Sequence, residues 1–146
     1  MKNETALTIT SPSNPYIKEL TKKKFDSSFF LVEGVHLVEE AYKHGFLDEV
    51  IVKTGTPLPL EAKKTIFASE EVIKKLSYSK SPEPVVGVCH YEKPCNPPFN
   101  RILVLDRVQD PGNLGAIFRC AIAFGFKDIL LLPGTCSPFN PKSIAA

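Results

Sequence analysis

At 146 residues the chain can hold one ordinary domain or two small ones. Its 43% hydrophobic and 23% charged residues are the balance of a soluble globular protein, and at a net charge of +2 composition alone does not announce a nucleic-acid binder. The first fifteen residues are polar, without a signal-peptide pattern, and no apolar run approaches the ~20 residues that span a bilayer.

In chain order, "PSNPYIKELTKKKF" predicts a helix. Ser13 or Asn14 can cap it, Pro15 suits its first turn, and Ile17, Leu20 and Lys24 continue the spacing. Within it "KELTKKKF" sets four lysines against one acid, a modest basic patch that by itself reads as a solvated face. "FFLVEG" is a strand ending at Gly34, and "VHLVEEAYKHG" a helix stopping at Gly45. "LDEVIVK" is a strand, "TGTPLPLEAKK" a loop and "TIFA" a short strand. Ser69 then caps the predicted helix "EEVIKKLSYSK", with Val72 where a capping box would hold Glu. "PVVGVCHYE" closes the series, making four strands against three helices. This alternation predicts an α/β domain over residues 1–92, followed by a stiff proline-rich linker, "KPCNPPFN", over 93–100.

The second domain is predicted over 101–146. Ile102 to Leu105 is a continuous apolar run, as in a parallel strand buried on both faces. In the helix that follows, Leu114, Ile117, Phe118, Ala121 and Ile122 repeat at the spacing of one buried face, and Gly125 ends it. "KDILLL" is the next strand, completing a βαβ unit. Only fourteen residues follow Leu132, and two parallel strands with one helix cannot cover both faces of a parallel sheet. The expectation is a fragment of a longer domain, ahead of a last segment that leans on a partner or on the first domain.

The four cysteines, Cys89, Cys95, Cys120 and Cys136, form no CxxC pair and fit no zinc spacing. His36, His44 and His90 are scattered. Free thiols in a reducing cytoplasm, no metal and no membrane partner are therefore expected. The chemistry concentrates in "DRVQDPGNLGAIFRC", Asp106 to Cys120, at the carboxyl end of a strand where open α/β sheets collect ligands. Asp110 to Asn113 is a turn sequence, and Asn113 is either the cap of the next helix or a free amide facing a substrate. Arg119 shares a helix face with Gly115, Ala116 and Ala123, opposite the apolar stripe, and can lean back toward Asn113. A solvating arginine and a capping asparagine are the plainer alternative, and Asp106 with Arg107 is equally a surface pair. The turn is neither a Walker loop nor GxGxxG, so a generic nucleotide-phosphate cradle rests on the turn alone.

"LDRVQDPGNLGAIFRCAIAFGF", Leu105 to Phe126, resembles the first motif of the SpoU/TrmH class of SPOUT RNA 2′-O-ribose methyltransferases. "SPSNPYIKEL", "FFLVEGVHLVEEA" and "LSYSKSPEPVVGV" resemble the substrate-binding domain that precedes the catalytic domain in many of them. The resemblance implies a small ribosomal-protein-like α/β domain, then the start of a parallel-sheet α/β-knot domain with the knot region missing. It implies methyl transfer from S-adenosylmethionine to a ribose 2′-hydroxyl of ribosomal or transfer RNA, and a homodimer at full length. Asn113 and Arg119 match the motif's functional residues. A guanidinium is a poor base, so the implied role of Arg119 is to grip the ribose oxygen or an adjacent phosphate, with Asn113 orienting that site. RNA contacts are expected from Lys22, Lys23 and Lys24, and from Arg107. Cys120 stands where the family often has Thr, and Ala145 where Arg is common. The later motifs are absent, so the cofactor residues are expected beyond Ala146 and the chain alone is expected to be inactive. The alternative is a non-catalytic RNA-binding module that retains the fold.

Overall fold

The computed structural model describes residues 7–23, 29–58, 60–92 and 100–146. The chain divides into two compact units, Met1–Tyr91 and Glu92–Ala146. The expected linker falls almost wholly on 93–99, outside the described residues, as does Cys95.

The first unit is a five-stranded mixed sheet carrying three helices. Its elements are β1 (Leu7–Ile9), α1 (Pro15–Lys22), β2 (Phe29–Glu33), α2 (Val35–Lys43), β3 (Leu47–Lys53), β4 (Lys64–Ala68), α3 (Glu70–Leu76) and β5 (Val85–His90). The strand order is β1-β4-β3-β5-β2. β1, β4 and β3 run parallel, while β5 is antiparallel to both β3 and β2. The central strands are buried on both faces, which is why "VIV" and "VVGVC" do not alternate with polar residues. Ile17 and Leu20 of α1 join Val72, Ile73 and Leu76 of α3 over Leu31, Ile51, Ile66, Val86 and Val88. α2 covers the opposite face. There a methyl group on Gly87 would lie 2.8 Å from Leu47 Cδ1 and Val32 Cγ2 and 3.1 Å from Val38 Cγ2, so glycine lets α2 sit close to β5.

Two expectations need correction in this unit. The first fifteen residues are not polar throughout: β1 buries Ile9 and is an edge strand of three residues, too short to show a period. Of the two expected α1 caps Asn14 serves, its side chain accepting from the Tyr16 N–H at 2.9 Å. α3 stops at Leu76 instead of running to Lys80. The cause is Glu33, whose carboxylate accepts from the Ser77 hydroxyl at 2.6 Å and from the N–H groups of Tyr78 and Glu83 at 3.0 Å. Three donors from one loop outbid another helical turn. Burial pushes the Glu33 carboxyl up, but these hydrogen bonds outweigh it and hold the group below the usual carboxylate range.

The second unit holds β6 (Ile102–Leu105), α4 (Pro111–Ala123), β7 (Asp128–Leu131) and α5 (Pro141–Ala145). β6 and β7 pair in parallel, with Leu105 opposite Leu131 and Val104 opposite Leu130. The predicted burial on both faces does not hold. Leu105 is buried, but Val104 is 51% and Leu130 50% exposed, because the open face of this two-stranded sheet carries no cover among the described residues. The α4 face is likewise narrower than its apolar pattern. Leu114 and Ala121 are buried, whereas Ile122 is 70% exposed. Gly125, at φ +76, ends α4, and Arg101 Nη2 reaches the carbonyls of Phe124 and Gly125 at that end.

Candidate active site in the second unit

The loops leaving β6 and β7 are tied to each other by backbone. The Leu132 N–H and the Thr135 hydroxyl both donate to the Leu105 carbonyl, at 2.9 and 3.2 Å. The Cys136 N–H donates to the Val108 carbonyl at 2.9 Å. Asp106 to Asp110 is therefore braced by Leu132 to Cys136 where the two parallel strands end.

α4 begins on this braced loop. The capping residue is Asp110, not Asn113: its Oδ1 accepts from the Asn113 N–H at 2.7 Å, and Pro111 fills the first helical position. An aspartate directly before proline is the cap that the proline position dictates, so the signal was present in the sequence. The consequence favours the second sequence reading of Asn113. Its backbone is satisfied by Asp110, and its side chain, exposed and without a partner among the described residues, is free to meet a ligand.

Arg119 is also exposed, and its guanidinium has no partner among the described residues. At about 100° and 1.5 Å per residue, Asn113 and Arg119 lie about 120° apart around α4 and about 9 Å apart along it. Ala116 stands midway, three residues from each. A side chain that leans toward the helix N-terminus takes Arg119 over this alanine toward Asn113. The other route, over Gly115, is occupied. A methyl group there would sit 2.3 Å from the Ser143 carbonyl oxygen and 2.8 Å from Ala146 Cβ, so α5 crosses α4 at this glycine. α5 is capped by the Asn140 side chain, which accepts from the Lys142 N–H at 3.0 Å, and buries Ser143, whose hydroxyl donates to the Ser137 carbonyl at 3.3 Å. The sequence reading placed no helix in "SPFNPKSIAA".

Arg107 lies at φ +53, the one left-handed residue other than glycine among those described. Its Nε is 3.3 Å from Asp106 Oδ1, and its side chain lies over Gly134, itself at φ +91. Of the three lysines, Lys22 is exposed in the last turn of α1, Lys23 bonds Glu19 at 2.6 Å, and Lys24 is outside the described residues. An exposed pair such as Lys23–Glu19 is weak enough to exchange for a phosphate.

Among the described residues no buried side-chain nitrogen or oxygen lacks a partner. The contacts between the two loops occupy the Leu105 and Val108 carbonyls and the N–H groups of Leu132 and Cys136. No group of three or more metal-ligating side chains gathers among the described residues, and no helix there is long and apolar enough to cross a membrane.

Residues 14–87 match the MRM3-like substrate binding domain, and residues 100–146 match the SpoU rRNA Methylase family. The chain belongs to the SpoU/TrmH-like RNA methyltransferases of the SPOUT superfamily. It is 34% identical to the 23S rRNA (guanosine(2553)-2′-O)-methyltransferase of Bacillus subtilis, over 93% of this chain and 58% of that protein. An uncharacterized tRNA/rRNA methyltransferase of Synechocystis is 33% identical, over 92% of this chain and 56% of its own. The crystal structure of an AdoMet-bound rRNA methyltransferase from Sinorhizobium meliloti superposes with a TM-score of 0.74 at 27% identity, over 97% of this chain and 60% of that one. The chain thus spans less than two thirds of the length of these relatives.

Proposed function

We propose that this chain is the RNA-holding and ribose-presenting portion of an S-adenosylmethionine-dependent 2′-O-methyltransferase acting on ribosomal or transfer RNA. The observation that carries this reading is the Asp110 cap. By taking the helix-capping task it leaves the Asn113 amide open and exposed, as the Arg119 guanidinium is, with Ala116 midway between the two on α4. A ribose 2′-hydroxyl is a weak nucleophile and must be fixed in place before it can react. Arg119 donates hydrogen bonds to the ribose oxygen or its neighbouring phosphate, a task that suits a planar fork of donors. Asn113 supplies an NH2 donor group and a carbonyl acceptor, enough to set the orientation of a hydroxyl. Lysines of the first unit, Lys22 and Lys23 among them, add sequence-independent phosphate attraction. The methyl donor is held by residues outside this chain, and the complete enzyme is a homodimer.

The test is methylation of ribosomal RNA by the complete protein, with ribose methylation mapped as resistance of one phosphodiester to alkaline cleavage. Asn113→Ala and Arg119→Ala each lower the yield by a factor of about 100 or more, the range seen when a positioned donor is removed, and leave the unfolding temperature unchanged. The 146-residue chain alone transfers no methyl group. Stoichiometric transfer by it refutes the proposed division of labour, and RNA binding without methylation by the complete protein favours the non-catalytic module.

A further inference from the structure

A left-handed backbone at an arginine is unfavourable by on the order of tenfold relative to glycine, yet Arg107 adopts it at the carboxyl end of β6. The conformation is over-determined. The next turn of the loop is locked by the bond from Cys136 N–H to Val108 O, and the stem of Arg107 rests on Gly134, with Cγ 3.1 Å from where a Cβ would stand. Asp106 forms an ion pair with it, Oδ1 lying 3.3 Å from Nε. The Arg107 guanidinium has no other ion-pair or hydrogen-bond partner residue among those described, and the side chain is 75% exposed. Strain at a residue with a free planar donor pair is a reason to ask what that pair meets.

Resting on the reading of this unit as ribose-presenting, we propose that Arg107 is a positioning residue for the RNA backbone. Its two Nη groups bind one phosphodiester next to the target ribose, while Asp106 fixes the fork through Nε. The left-handed backbone turns the side chain across the Gly134 turn, so the phosphate is gripped by a rigid arm. A phosphate is favoured over a base edge because its oxygens match the planar donor pair of a guanidinium and its charge is complementary. Of the two nearby acids, Asp106 is paired with Arg107 and Asp110 accepts from the Asn113 N–H.

The experiment measures binding of a short single-stranded RNA to the chain across a salt series, for the wild type, Arg107→Asn and Arg107→Lys. Asn tolerates the left-handed region better than most residues, so Arg107→Asn removes the charge without straining the loop. The expected result is an affinity loss of about tenfold, a log–log salt slope shallower by about 0.7, and an unfolding temperature at or above that of the wild type. Arg107→Lys keeps the slope and loses part of the affinity. Wild-type affinity and slope in Arg107→Asn overturn the proposal, as does lost affinity with an unchanged slope, the mark of a base or sugar contact. A lowered unfolding temperature with binding lost in proportion also overturns it, since Arg107 is then only a strut for the Gly134 turn. Wild-type chain that shows no salt-dependent RNA binding fails at the earlier step, the RNA-presenting role, and takes this inference with it.

Discussion

Gly115 is the position where a single methyl group tests the packing of the second unit. In Gly115→Ala the new Cβ would stand 2.3 Å from the Ser143 carbonyl oxygen, 3.1 Å from its carbonyl carbon and 2.8 Å from Ala146 Cβ. Close carbon-to-oxygen contacts sit near 3.3–3.6 Å, so α5 must retreat by about 1 Å. The obstacle is backbone, which cannot rotate aside. Overpacking of this kind costs about 3 kcal/mol at the upper end, and alanine's better helix propensity returns about 1 kcal/mol. The net expectation is about 2 kcal/mol against α5 docking, a factor of about 30 in the docked population. Native-state hydrogen exchange reads this directly at the amides of Ser143, Ile144 and Ala146, which bond to Asn140 O and Lys142 O at 2.8 to 3.1 Å. Their protection falls about thirtyfold, while the Leu114 amide at the start of α4 keeps its own. If the variant instead gains stability by about the propensity difference and α5 exchange is unchanged, the close crossing at Gly115 is refuted.

Three further predictions rest on separate features. Asp110→Ala destabilises the second unit by about 1 kcal/mol, with Asp110→Asn restoring most of it; denaturant titration checks this, and equal stability of all three chains denies Asp110 its capping role. Glu33 titrates below its ordinary value in the folded state, so its contribution is fully present above the unfolded carboxyl pKa of about 4.3 and is lost as pH falls through the lower folded value. Glu33→Gln therefore costs about 1 kcal/mol at neutral pH and flattens the acid limb of the stability curve, whereas a limb of unchanged slope rules out Glu33 as its source. Burial, with Asp48 adding to it, pushes the Cys89 thiol up to about 12, while Cys120 is exposed. A thiol reagent near neutral pH should label Cys120 first and Cys89 only on unfolding, as peptide mapping will show; early labelling of Cys89 contradicts its burial.

How far the sequence carried depends on the range of the interaction. Helix and strand periods are local, and α1, α2, β2, β3, β4 and β5 were all legible from them. The end of α3 was not, because the carboxylate that stops it belongs to Glu33, 44 residues from Ser77. β1 escaped because its order comes from pairing with β4, through which Ile9 lies opposite Ala68. The overestimated burial of β6 has another origin. An apolar run records the surface a strand must cover, not whether the cover is present in this chain. α5 was a different kind of miss, since Asn140 before Pro141 is the same signature as Asp110 before Pro111. A proline at the first helical position marks both caps.

That shared rule links the fold to the proposed chemistry. Were Asn113 the cap, its side chain would be consumed by a backbone N–H three residues on, as Asp110's is. Moving the cap back to Asp110 puts Asn113 inside the first turn, with its side chain outward and its N–H already satisfied. Ala116 then leaves the lane between Asn113 and Arg119 clear, and Gly115 brings α5 against the adjacent stripe. The small residues of "NLGAIFR" thus have two different uses. Gly115 admits a helix, and under the proposed function Ala116 keeps a path open for Arg119. Enlarging Gly115 should disturb structure first, whereas Ala116→Leu should leave stability near wild type and cost the complete enzyme its methylation.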